Sequence, residues 1–278
     1  MKTREWPLVL FTLMGQAAAG LAVFFLLPLH SPAGRSALPQ FRSLRMAASL
    51  GVLLLALAAA VLSLGHLGRM SRAPRSVANF KSSWLSREIG ALVLFIAAAA
   101  ALAGGEWRDA AAALRAPLAA VTAAAGGFFL YAMSRLYMLP AVPEWNTAAT
   151  PVAFFGSAAA LGSALTAVVV RVGQPRFRTN LPLIALAAMG LVYLLVFLYA
   201  PRFGLFARKA PSPAFRPDPR LPWLFAIRMV LFALAILVWA LSAFNPAVAG
   251  PASWTALGLL FASEALGRWL FYSLPQNL

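Results

Sequence analysis

The chain has 278 residues, of which 62% are hydrophobic and 11% charged, with 23 Lys and Arg against 7 Asp and Glu and a formal charge of +16. So few charges could not cover a soluble domain, and the basic excess is not gathered into the polar face of a nucleic-acid binder. The arithmetic fits a polytopic all-α membrane protein, because eight spans of ~21 residues would take up ~168 residues. With two His and no Cys, disulfides, thiolate nucleophiles and cysteine-ligated iron–sulfur clusters are excluded.

In chain order, apolar runs predict spans at about 6–28, 41–64, 84–104, 113–134, 149–170, 181–201, 221–243 and 252–273. Each is long enough to cross a hydrocarbon layer of ~30 Å as a helix. Period-2 alternation, which a transmembrane barrel requires, is absent. Turn chemistry fills the breaks, as in Ser31-Pro32-Ala33-Gly34, Gly173-Gln174-Pro175 and Pro211-Ser212-Pro213. Pro7, Pro39, Pro151 and Pro222 stand near helix starts, where a missing N–H costs little. No break has room for a soluble domain, so residues 1–278 read as a single integral membrane domain. Lys2, Arg4 and Ala17-Ala18-Ala19 imitate a signal peptide, but the apolar run continues to Leu27, which reads as an uncleaved first helix.

Eight spans put both termini on one side, face A. Counting span-end residues with their loops, face A receives 14 Lys and Arg and the opposite face B receives 8. The positive-inside rule then places face A in the cytoplasm. The halves also look alike: Glu5-Trp6 before span one is echoed by Glu144-Trp145 before span five, and three Arg follow each of those spans. Two parallel four-helix repeats would give this pattern, as would coincidence on a shared charge rule.

Charged and titratable residues at span ends are the informative positions. His66 ends span two and Glu88 opens span three, both at face A. A His titrates near neutrality and a neighbouring carboxylate can pass its proton on. Such a pair in a partly apolar, interfacial pocket suits oxidation of a lipid-soluble quinol, which gives up two protons with its electrons. The plain alternative is that both side chains only complement helix dipoles. His30 ends span one at face B, so it cannot share a b-type haem with His66, and it reads as an ordinary interfacial residue. This chain is therefore expected to carry no haem and no other metal centre.

Span eight carries Glu264 and Arg268 at i,i+4, and span seven carries Arg228. Glu264 would lie roughly 13 Å and Arg228 roughly 10 Å below face A. A salt bridge between the two helices, with Arg268 snorkelling, is one reading; a proton relay is the other. Trp6, Trp84, Trp107, Trp145, Trp223 and Trp254 fall near span ends and read as an aromatic belt. A secondary transporter, built on parallel repeats around Arg228 and Glu264, is the alternative class.

Several stretches together resemble the membrane anchor subunit of dimethyl sulfoxide reductase, the DmsC family. They are Glu5-Trp6-Pro7-Leu8 with Phe11-Thr12 and Gly15-Gln16, His66-Leu67-Gly68 with Arg72, and Ser83-Trp84-Leu85-Ser86-Arg87-Glu88-Ile89. Arg135 with Tyr137, Val142-Pro143 with Trp145, and Thr150-Pro151 with Phe154-Phe155 follow; the second half matches mainly in hydropathy. The resemblance implies an eight-helix anchor in the bacterial inner membrane that oxidises menaquinol in anaerobic electron transport. It implies no prosthetic group in this chain and two partners, a four-cluster iron–sulfur subunit and a molybdopterin catalytic subunit. His66 and Glu88 would be the catalytic pair. Arg72, Trp84, Ser86, Arg87, Arg135 and Tyr137 would complete the quinol site. The family's usual orientation puts face A outside, against the charge count; basic residues that dock an acidic cluster subunit would explain the conflict.

Overall fold

The computed structural model describes residues 6–30, 42–65, 79–142, 145–173, 221–244 and 248–272. They form seven long helices: α1 Trp6–Leu29, α2 Arg42–Leu64, α3 Trp84–Trp107, α4 Ala112–Tyr137, α5 Ala149–Gly173, α6 Leu221–Phe244 and α7 Ala249–Tyr272. The first six are long and apolar enough to cross a membrane. The last has the length of a span but carries Pro251, Ser253, Ser263, Glu264 and Arg268. Bounds agree with the hydropathy reading within a few residues; the sixth expected span, 181–201, lies outside the described residues.

The exceptions are at helix ends. Helix α3 runs on to Trp107, so Glu106 is helical and buried instead of lying in the 105–112 loop. Helix α4 runs on to Tyr137, so Arg135 and Tyr137 belong to its last turn. Helix α1 contains a π turn at Ala22–Leu26, closed by the Leu27 N–H donating to the Ala22 carbonyl. It ends against Pro28, which has no N–H to offer. One extra residue rotates the following chain by about 100°, and His30, just beyond, faces α3.

Helix α1 is the centre of the molecule. It packs against α2, α4, α5 and α7, while α3 sits between α2 and α4, and α7 between α5 and α6. Within their apolar stretches 72% of α1 and 67% of α5 is buried, against 17% of α6. Helices α1 and α5 cross at Gly20 and Gly162: a Cβ on either would run into the backbone of the other helix. Apolar helices gain little hydrophobic energy by leaving lipid for each other, so close contact of small residues must hold them. Ala158 and Gly162, one turn apart, supply that surface on α5.

A second fastening lies at face B. Glu106 of α3 accepts hydrogen bonds from Arg45 Nε of α2 at 3.0 Å and Arg115 of α4 at 3.4 Å. Its other oxygen is 2.6 Å from His30 Nε2, at the end of α1. Exposures of 5% for His30, 4% for Arg45 and 0% for Glu106 place the group inside the protein. His30 is thus no ordinary interfacial residue: Nδ1 faces the Leu26 carbonyl at 2.8 Å, so both ring nitrogens are engaged. Asp109, in the α3–α4 turn at φ 51°, adds an outer bond from Arg115 at 2.9 Å.

Both fastenings carry a measurable share of stability. Gly162→Val should cost about 1–3 kcal/mol or more, because rigid backbone stands where the side chain would go. Glu106→Ala should cost about 3–5 kcal/mol by removing an acceptor shared by three helices. Heating detergent-extracted protein and following loss of the folded fraction tests both; unchanged midpoints would contradict this packing.

Candidate functional site

At face A, the start of α3 sets the site. Ser83 is extended (φ −106°, ψ 121°), and its Oγ accepts from the Ser86 N–H at 3.4 Å, capping the helix. The first turns then carry the sequence-predicted residues Trp84, Ser86, Arg87 and Glu88. The structure divides them by facing.

One group is interfacial. The Arg87 guanidinium lies 4.3 Å over the Trp84 ring and the Arg135 guanidinium, from α4, lies 5.2 Å from it. Tyr131 meets the ring edge-on at 5.6 Å. Arg87 donates to the Phe80 and Lys81 carbonyls at 3.0 and 2.6 Å, beside exposed side chains. A cation over an aromatic face is an anchor suited to the headgroup layer.

The other group is internal. Ser86, Glu88 and Tyr137 are 1%, 4% and 8% exposed. Glu88 Oε1 has no hydrogen-bond partner among the described residues, whereas most buried polar atoms are satisfied. An orphaned acceptor of this kind costs about 1–3 kcal/mol unless a water, a proton or a ligand hydroxyl meets it. His66 and Arg72 lie outside the described residues; the chain just before them, at Gly65, stands beside Pro7 of α1.

Tyr137 sits in an aromatic box that joins the two halves. Trp145, Phe154, Phe271 and Tyr272 surround it with ring centroids 5.4–5.8 Å away. Trp145 stacks on Phe271 at 5.2 Å and donates its indole N–H to the Phe271 carbonyl at 2.9 Å. Trp145 is therefore a core residue and not part of the belt; Trp6, Trp107, Trp223 and Trp254 are exposed, as a belt requires. The Tyr137 and Tyr272 hydroxyls are 3.0 Å apart.

Deeper in the second half, Arg228 of α6 and Glu264 of α7 form the expected inter-helix salt bridge at 3.6 Å. Ser157 of α5 donates to Glu264 at 2.5 Å and accepts from Arg268 at 3.5 Å. Arg268 does not snorkel: it is 4% exposed and lies 3.8 Å over the Phe154 ring. Sequence reasoning weighed charges and so passed over Tyr272 and Ser157. Their one visible signal was a hydroxyl within an apolar run.

Among the described residues no group of three or more His, Asp or Glu is arranged to hold a metal ion.

Comparison with known proteins bears on the family of the chain. The C subunit of the anaerobic dimethyl sulfoxide reductase of Escherichia coli is 29% identical over 288 residues, covering 99% of this chain and 96% of the relative. The YnfH protein of Escherichia coli, likewise part of an anaerobic dimethyl sulfoxide reductase, is 29% identical over 289 residues, covering 99% and 96%. The C subunit of the Haemophilus influenzae anaerobic dimethyl sulfoxide reductase is 27% identical over 290 residues, covering 98% and 95%. No solved structure matches significantly. The family model described as DMSO reductase anchor subunit (DmsC) matches residues 1–274, and with that match over almost its whole length, on a bundle of membrane-spanning helices, the chain belongs to the DMSO reductase anchor subunit family.

Proposed function

We propose that this anchor oxidises menaquinol at face A and delivers the electrons to an iron–sulfur subunit, which feeds a molybdopterin catalytic subunit in anaerobic respiration. The relatives are each named as one component of a dimethyl sulfoxide reductase, and that supports a multi-subunit assembly. The observation that carries the reading is Glu88, a buried carboxylate with an unmet oxygen one turn inside a membrane helix.

Menaquinol loses two electrons and two protons and becomes menaquinone. The electrons pass to an iron–sulfur cluster of the partner docked at face A, so this chain needs no metal of its own. His66 takes one proton from a quinol hydroxyl, and Glu88 receives the other and relays it towards water. Arg72 holds the ring oxygens, and the Trp84–Arg87–Arg135 anchor marks the headgroup level at which the quinol ring enters. The complex resides in the bacterial cytoplasmic membrane with both termini on one side.

His66→Ala and Glu88→Gln should each abolish quinol-driven turnover of the membrane-bound complex, while a reduced artificial dye still drives its catalytic subunit. Full quinol turnover in both variants would sink the site assignment. Reporter fusions in the 202–220 and 105–112 segments should report opposite sides of the membrane, and the side found for 202–220 decides whether face A follows the charge count or the family's orientation.

A further inference from the structure

At face B, at the far end of α3 from Glu88, a cavity of about 490 Å³ opens between the start of α2 and the end of α3. Arg42, Ser43, Met46 and Trp107 line it. Its size is that of a site for a small molecule or a headgroup. Arg42 and Ser43 offer a cation and a hydroxyl, Trp107 an aromatic ring with an N–H donor, and Met46 an adaptable apolar surface.

The charge around the cavity does not balance. At this end α2, α3 and α4 with their connecting turn carry Arg42, Arg45, Arg108 and Arg115 against Glu106 and Asp109. Arg45 and Arg115 are spent on Glu106, and Asp109 is held by Arg115 at 2.9 Å. Arg42 stands 4.0 Å from Asp109 with 56% of its side chain exposed, a pair too open and too long to neutralise it. Arg108 is exposed as well. A net positive end therefore faces whatever enters the cavity.

Towards the membrane interior the same two helices turn apolar. From Ser43, the exposed residues Ala47, Leu50 and Leu54 continue along α2 at helical spacing. From Trp107, the exposed residues Gly104, Ala101 and Ala97 continue along α3, which packs on α2. A Cβ added at Gly104 would meet nothing within 4 Å. Small residues on one helix beside leucines on the next leave the kind of open space an acyl chain fills.

We propose that this cavity holds one anionic phospholipid. Its phosphate meets Arg42 and Ser43, its glycerol lies beside Trp107, and an acyl chain runs past Gly104. A bare phosphate would use only the outer, polar part. A zwitterionic headgroup would bring its own cation to an end whose acids are already taken. The bound lipid bridges α2 and α3, the helices that Arg45 and Glu106 also join, and it does not depend on the quinol-oxidation reading.

The test is native mass spectrometry of the whole complex, purified in neutral detergent and titrated with phosphatidylglycerol, phosphatidylcholine or inorganic phosphate. The wild type should retain one phosphatidylglycerol that Arg42→Gln binds about tenfold more weakly, because a charge-assisted bond is lost. Arg42→Lys should keep most of the affinity. Gly104→Leu changes no charge and enters open space, so the protein folds while the acyl chain is crowded out; its affinity should fall too. Trp254→Ala, at an exposed position of the same face, should change nothing. Full affinity in both Arg42→Gln and Gly104→Leu overturns the site. Equal affinity for phosphatidylcholine overturns its preference for an anionic lipid, and release of the lipid by inorganic phosphate at equal concentration reduces it to a bare anion site. An equal loss in Trp254→Ala would show only general lipid contact and overturns it likewise.

Discussion

The carboxylate of Glu106 is the point on which the first four helices depend. Packing one apolar helix on another in lipid gives almost none of the hydrophobic gain that assembles a soluble core, so polar contacts and close backbone approach must specify the arrangement. Glu106 takes bonds from Arg45 and Arg115 and faces His30, so that α1, α2 and α4 all meet α3 at one buried site. The π turn in α1 has a clear use in this light, because it turns the end of the helix so that His30 reaches the group.

Helix α3 carries a second buried glutamate near its other end, and the two are treated in opposite ways. Glu106 is surrounded by cationic and hydrogen-bonding side chains, whereas Glu88 keeps one oxygen unmet among the described residues. A buried carboxylate can be fully partnered and structural, or left open at a cost in stability. A protein with a well-fastened end can bear that cost elsewhere.

Much of this was legible in the sequence. Span positions follow from continuous apolar length, which depends little on tertiary contacts, and the observed helices start and stop within a few residues of those runs. Glu88 was legible because a charge inside an apolar helix is costly wherever it points. The pairing of Arg228 with Glu264 followed from their similar depth. What hydropathy could not give was facing. Trp84 and Trp145 stand at equivalent places beside their spans, yet one lies at the interface and the other in the core. Glu88 and Arg87 are adjacent in sequence and belong to different surroundings. His30 read as an ordinary interfacial residue and Glu106 fell just past the expected end of span three, because their meeting depends on an irregular turn and an extra stretch of helix that leave no trace in hydropathy.

The two ends of the bundle also differ in how far along the chain their contacts reach. The partners of Glu106 lie 9, 61 and 76 residues away, all between His30 and Arg115. The bonds that close the aromatic box, Trp145 to Phe271 and Tyr137 to Tyr272, span 126 and 135 residues. Among the described residues the Glu106 group is therefore built from contacts within the first 115 residues, while the aromatic box is a long-range closure that exists only when α7 is in place. A protein cut short before α7 would keep His30, Arg45 and Arg115 around Glu106 and lose Phe271 and Tyr272 from the aromatic box, so the packing around Tyr137 depends on the last helix as much as on the first four.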